Sequence, residues 1–167
     1  MSKTISGAHT RWNLRYHMVW IVKYRKDLLY WPGVSERFCE LIKGISERYE
    51  WVMDSLATDG KHVHVFMGAP PRYAPAEVVK IMRSITAREI FRDFPQVKEE
   101  LWGGEFWGDG YYVRTVGNEV TAEVIREYIK RQETDPIVCG CGWALKIIRP
   151  DINKIISAAH WPSESSG

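Results

Sequence analysis

Two histidines two residues apart, His62 and His64, sit in the short apolar run Lys61-His62-Val63-His64-Val65-Phe66-Met67. The run has strand character, and strand side chains alternate faces, so both imidazoles project from one side while Val63, Val65 and Met67 face the other. Paired imidazoles pack poorly but chelate well, because neutral imidazole is a common metal ligand. Further along, Tyr128 and Gln132 lie four residues apart in a helical stretch and therefore share one helix face. The amide oxygen of Gln132 can complete a coordination set begun by His62 and His64. A cation held there can polarise a phosphodiester oxygen, and the Tyr128 hydroxyl can attack phosphorus to give a covalent intermediate. Periodicity alone would read Tyr128 as a packing residue, since it follows Ile125 by three and precedes Ile129.

These groups need a scaffold, and the hydropathy pattern outlines one. Trp12 to Tyr24 reads as a long first strand. Trp31-Pro32-Gly33 breaks it, and Ser35 is expected to cap a helix reaching about Arg48, with Phe38, Leu41, Ile42 and Ile45 inward. A second strand spans Trp51 to Thr58, and Asp59-Gly60 turns it into the histidine strand. A second helix is predicted from Pro75 to Asp93, with Val78, Val79, Met82, Ile85 and Ile90 inward. The stretch from Trp102 to Val116 is expected to be a hairpin turning at Gly108-Asp109-Gly110, and Thr121 can cap a helix to about Glu133. The order β-α-β-β-α-β plus a hairpin strand predicts an α+β, ferredoxin-like antiparallel sheet with two helices on one face. A helix bearing the tyrosine follows its last strand. Residues 1–134 would form this catalytic domain, and residues 135–167 a C-terminal extension of unassigned role packed on it.

Composition narrows the class. The chain has 167 residues, 45% hydrophobic and 26% charged, as expected of one soluble globular domain. The longest apolar run noted, Met18 to Val22, is five residues, far short of the roughly 18 a membrane span needs. The N-terminus lacks an apolar signal core, and three cysteines show no framework spacing, so a cytoplasmic location and no membrane partner are expected. The net charge of +2 is not that of a strongly basic nucleic-acid binder. Its distribution is more suggestive: Arg11, Arg15, Lys23, Arg25 and Lys26 are interleaved with Trp12, Tyr16, Trp20 and Tyr24, with no acid among them. Cations for phosphates and rings for bases suit a single-stranded nucleic acid, and Trp12 or Trp20 could serve as stacking platforms. The same pattern also fits a half-buried strand with a solvated face.

The chain resembles the small single-tyrosine HUH transposases, TnpA-type, which mobilise insertion sequences as single-stranded DNA. The resemblance rests on His62-Val63-His64, the strand Gly110-Tyr111-Tyr112-Val113-Arg114-Thr115-Val116-Gly117, the pair Tyr128 and Gln132, and Lys23-Tyr24-Arg25 at the end of the first strand. It covers roughly Arg11 to Glu133. It implies that His62, His64 and Gln132 hold a divalent metal, Mg2+ or Mn2+. It implies that Tyr128 cuts one strand, leaving a 5′-phosphotyrosine and a free 3′-hydroxyl. A homodimer with active sites shared between subunits follows from the same likeness, with Gly117 (and Asn118) as the hinge. The implied partner is single-stranded DNA with a subterminal hairpin. Lys23, Tyr24, Arg25, Lys26, Lys61, Arg83 and Arg114 are the expected DNA contacts.

Other readings use the same residues differently. A relaxase-like or replication-initiator nickase, or a domesticated relative acting on repeated hairpins, would keep the site and change the biology. A non-catalytic RNA-binding sheet would stack bases on strand aromatics, but here two histidines stand where those rings belong. Tyr111 and Tyr112 are rival nucleophiles that a strand would place on opposite faces. Cys139-x-Cys141 lacks a second pair, so a zinc site with Cys39 or His160 has little to recommend it.

Overall fold

The computed structural model describes residues 4–7, 9–115, 136–138 and 144–147. Its centre is a sheet in the order β6-β3-β5-β4-β8-β7. The strands are β3 (Tyr16–Val22), β4 (Val52–Thr58), β5 (His62–Gly68), β6 (Trp107–Thr115), β7 (Pro136–Val138) and β8 (Ala144–Ile147). A separate antiparallel pair, β1 (Ile5–Ser6) and β2 (Arg11–Trp12), precedes it. The core pairings β6/β3, β3/β5 and β5/β4 are antiparallel, whereas β8 joins β4 in parallel and extends the sheet on that side.

Two faces separate by the strand period. Met18, Trp20, Val22, Leu56, Val63, Val65 and Met67 belong to one buried cluster with the inner faces of α1 (Val34–Tyr49) and α2 (Pro75–Asp93). Phe38, Ile42 and Ile45 come from α1, and Val78, Val79, Met82 and Ile90 from α2. Removing each such side chain from water contributes on the order of 1.5–3 kcal/mol, which holds the helices on this face. The opposite face carries His17, Val19 and Ile21 of β3 beside His64 and His62 of β5, and Tyr112 and Arg114 of β6. The expected ferredoxin-like sheet is therefore present, with a short third helix α3 (Pro95–Glu99) after α2.

Three local expectations are corrected. Gly33, not Ser35, is the N-cap of α1; Ser35 lies inside the helix and its hydroxyl donates to the Leu29 carbonyl. The expected strand from Trp12 to Tyr24 is divided: Arg11–Trp12 pairs with Ile5–Ser6, and the sheet strand Tyr16–Val22 stops where the backbone at Tyr24 and Arg25 turns into the left-handed region (φ 57° and 52°). Gly108-Asp109-Gly110 is no turn: Trp107–Thr115 runs as one strand, and no strand forms between Trp102 and Phe106. The physical reason lies across the ladder. A Cβ on Gly108 would stand 2.8 Å from Ile21 Cγ1, beside the register shift between Trp20 and Val22, so the glycine permits close approach of β6 to β3.

The turn into β5 follows the expected Asp59-Gly60 chemistry. Gly60 has φ 87°, and a side chain there would run into the Tyr30 ring. Asp59 accepts backbone N–H bonds from Lys61 (3.1 Å) and His62 (2.6 Å), so the turn is locked directly against the first histidine.

Candidate metal centre

His62 and His64 lie on one face of β5, as alternation requires. His62 Nδ1 is 2.8 Å from Asp59 Oδ2, with both side chains nearly buried. A neutral imidazole that donates Nδ1–H to a carboxylate keeps its lone pair on Nε2, the arrangement that supports a metal ligand. Burial alone would raise the Asp59 carboxyl, but the hydrogen bond from the His62 ring and those from the Lys61 and His62 backbone N–H groups bring it below the ordinary aspartate value.

His64 is only 4% exposed. Its Nδ1 lies 3.2 Å from Nε2 of His17, and its own Nε2 is buried with no hydrogen-bond partner among the described residues. An orphaned buried nitrogen is costly unless something fills the gap, and a cation bound through Nε2 would do so. Two imidazoles with occupied Nδ1 atoms thus fit a divalent ion as part of its donor set. Among the described residues no group of three or more His, Cys, Asp or Glu side chains is arranged to hold a metal. Gln132 and Tyr128, with Gly117 and Asn118, lie outside the described residues.

The pair carries a measurable electrostatic signature. Burial, then the neighbouring His17, lowers His64 to about 3; burial, then Arg114, lowers His17 to about 4. Both rings are neutral at pH 7. Histidines of the unfolded chain titrate near pH 6.5, so between about pH 4 and 6.5 the unfolded state binds more protons. Stability from this pair is complete above pH 6.5 and is lost as pH falls through that window, by up to about 1.4 kcal/mol per pH unit for each ring. Urea unfolding is expected to be flat from pH 8 to 7 and to weaken steeply by pH 5. A flat profile down to pH 5 would mean that the rings are not buried in neutral form.

The expected DNA contacts are scattered. Arg114 lies on the histidine face, opposite His17 in register. Lys23 Nζ pairs with Glu105 (2.8 Å) and Asp109 (3.2 Å), Lys26 Nζ with Glu100 (2.8 Å), and Lys61 Nζ lies 3.8 Å from Asp27. Arg83 donates to the Gly108 and Asp109 carbonyls and so ties α2 to β6 beside the buried core. Arg25 is exposed, and the Tyr24 ring stacks on Trp102 with centroids 5.4 Å apart and planes 2° apart. Trp12 and Trp20, expected as stacking platforms, are buried at 8% and 0% exposure, whereas Trp102 is 85% exposed. Tyr112 faces the histidines and Tyr111 the other side, as alternation predicts. Cys39 is buried, and its surroundings, then Glu36 and Glu40, push the thiol up to about 12, which excludes it as a nucleophile at neutral pH. Cys139, Cys141 and His160 lie outside the described residues.

His17 and Asp59 contact the two candidate ligands, and neither stands out in the sequence as a site residue. Asp59 was legible only as a turn residue. His17 sits diagonally across the ladder from His64, since Val19 pairs with His64 and His17 with Phe66. That contact depends on register between strands far apart in the chain.

The chain is similar to known proteins over most of its length. The IS200-like transposase family profile matches residues 10–132. The ISDra2 transposase TnpA of Deinococcus radiodurans is 32% identical over 121 residues, covering 72% of this chain and 85% of that protein. The transposase for insertion sequence element IS200 of Salmonella typhimurium is 32% identical over 131 residues, covering 76% and 82% respectively. A crystal structure of a candidate transposase from Deinococcus radiodurans superposes with a TM-score of 0.62 at 30% identity, covering 78% of this chain and 99% of that one. Among the described residues no helix is long and apolar enough to cross a membrane. With the histidine face, the sheet order and the length of the match in agreement, the chain belongs to the IS200-like transposase family.

Proposed function

We propose that this protein cleaves and rejoins single-stranded DNA at insertion-sequence ends through a 5′-phosphotyrosine on Tyr128. The observation that carries the reading is the buried, partnerless Nε2 of His64 beside a carboxylate-backed His62. His62, His64 and Gln132 would hold Mg2+ or Mn2+. Such an ion supplies Lewis acidity at the scissile phosphate.

The chain's own groups do the rest. Asp59 fixes the His62 ring by its Nδ1, and Arg114 brings a cation to the same face for backbone phosphate. The Tyr128 oxygen forms a bond to phosphorus as the P–O3′ bond breaks; the phenol gives up its proton and the departing 3′-oxygen gains one. One phosphodiester becomes one phosphotyrosine ester, so the bond energy is retained for attack by another 3′-hydroxyl. A single-stranded end carrying a subterminal hairpin is the partner.

A homodimer is part of the proposal, with active sites shared between subunits and Gly117 as hinge. Among the described residues nothing pairs with the outer edge of β6, and Tyr111 and Val113 stand 38% and 36% exposed along it. An uncovered, partly apolar edge strand is a ready partner for a second copy.

A labelled single strand bearing an element end should form a protein adduct that survives denaturing electrophoresis. The adduct should need Mn2+ or Mg2+ and should vanish with chelator or with fully duplex DNA. Adding a second end should yield a joined DNA product. Cleavage without any joined product would favour a nickase, and no adduct under any condition would overturn the reading.

A further inference from the structure

We propose that His17 is a positioning residue of the metal centre, accepting the Nδ1–H of His64 and so keeping the His64 lone pair on Nε2. The inference rests on the metal-binding reading of His62 and His64 and extends it to a third histidine, on a different strand.

The facing nitrogens, His17 Nε2 and His64 Nδ1, are 3.2 Å apart, and the ring planes differ by only 19°. Two neutral imidazoles in that contact share one proton. If His17 donated, His64 would carry its own proton on Nε2, where a buried N–H finds no acceptor among the described residues. If His64 donates, its Nε2 becomes a buried lone pair open to a cation. The second arrangement satisfies the site once an ion binds; in the first, the Nε2–H has no acceptor among the described residues.

The surroundings of His17 suit the acceptor role. Tyr112 packs edge-on against its ring, with centroids 6.4 Å apart and planes 75° apart, which limits rotation. Arg114 lies opposite it in the β3/β6 register. The two ligand histidines are therefore backed unequally, His62 by the Asp59 carboxylate and His64 by a neutral ring.

The test uses the full-length protein with His17→Phe and His17→Gln. Phenylalanine keeps a ring and removes the acceptor, whereas the glutamine amide oxygen can accept the same N–H. Mn2+ binding, followed by electron paramagnetic resonance of the free ion, should weaken about 10- to 100-fold in His17→Phe. In His17→Gln it should return to within severalfold of wild type. Nitrogen-15 spectra of the metal-free wild type should show His64 protonated on Nδ1, with that preference reduced in His17→Phe. Circular dichroism melts confirm folding, and His17→Gln carries the comparison if His17→Phe does not fold. Unchanged Mn2+ affinity in a folded His17→Phe, or a wild-type His64 protonated on Nε2, would overturn the role of His17 while leaving the metal centre intact. A wild type that binds no Mn2+ would overturn both.

Discussion

Tyr128→Phe is expected to give no covalent DNA adduct, with strand cleavage below about a thousandth of the wild-type rate. The substitution removes one oxygen, the atom proposed to bond phosphorus, and leaves the ring. Losing one hydroxyl typically costs about 1 kcal/mol, so the variant should fold and should still bind a single-stranded end. Tyr112→Phe is the matched control. Tyr112 is the described tyrosine that shares the histidine face, edge-on to His17, and could in principle compete as nucleophile. It should retain the adduct. Electrophoresis of labelled DNA under denaturing conditions reads both variants together. An adduct that persists in Tyr128→Phe and disappears in Tyr112→Phe would move the nucleophile onto the sheet.

His64→Leu should weaken Mn2+ binding by about 100-fold or more and abolish the adduct, because an imidazole donor is replaced by a side chain of similar bulk with none. Its stability should respond differently. The leucine removes a buried ring whose Nε2 has no partner, but it also takes away the Nδ1–H that faces His17 Nε2 at 3.2 Å, so about 1 kcal/mol is lost at pH 7. It also removes one group that must take up a proton on acid unfolding, so the decline in stability between pH 6.5 and 4.5 should become shallower. His62→Leu should lose metal equally and cost more stability, about 1–2 kcal/mol, since Asp59 is left nearly buried without its ring partner. Metal titration and urea unfolding across pH separate the two variants. If His64→Leu binds Mn2+ like wild type, the imidazole pair is not the ion's seat.

Particular residues show why some of this was readable in advance. The α2 helix runs from Pro75 to Asp93 as the pattern predicts, because proline suits a first helical turn and the apolar period continues to Ile90. Ser35 misled because its type favours a cap, yet the chain places it one turn position inside, where its hydroxyl meets the Leu29 carbonyl. Gly108 misled for a similar reason. Glycine marks turns and close approaches alike, and only the Ile21 side chain across the ladder distinguishes them.

Local rules thus sufficed for whatever depends on neighbours along the chain: the alternation that puts both imidazoles of β5 on one face, the Asp59-Gly60 turn before them, and the helices that bury the other face. The partners of those imidazoles were another matter. The His17 to His64 contact, the orphaned Nε2 and the burial that keeps both rings neutral arise from β3 and β5 meeting in one register. The same holds for the lysines drawn into ion pairs with Glu105, Asp109 and Glu100. Side-chain period is a property of one strand; register and desolvation exist only between strands, after the chain has folded.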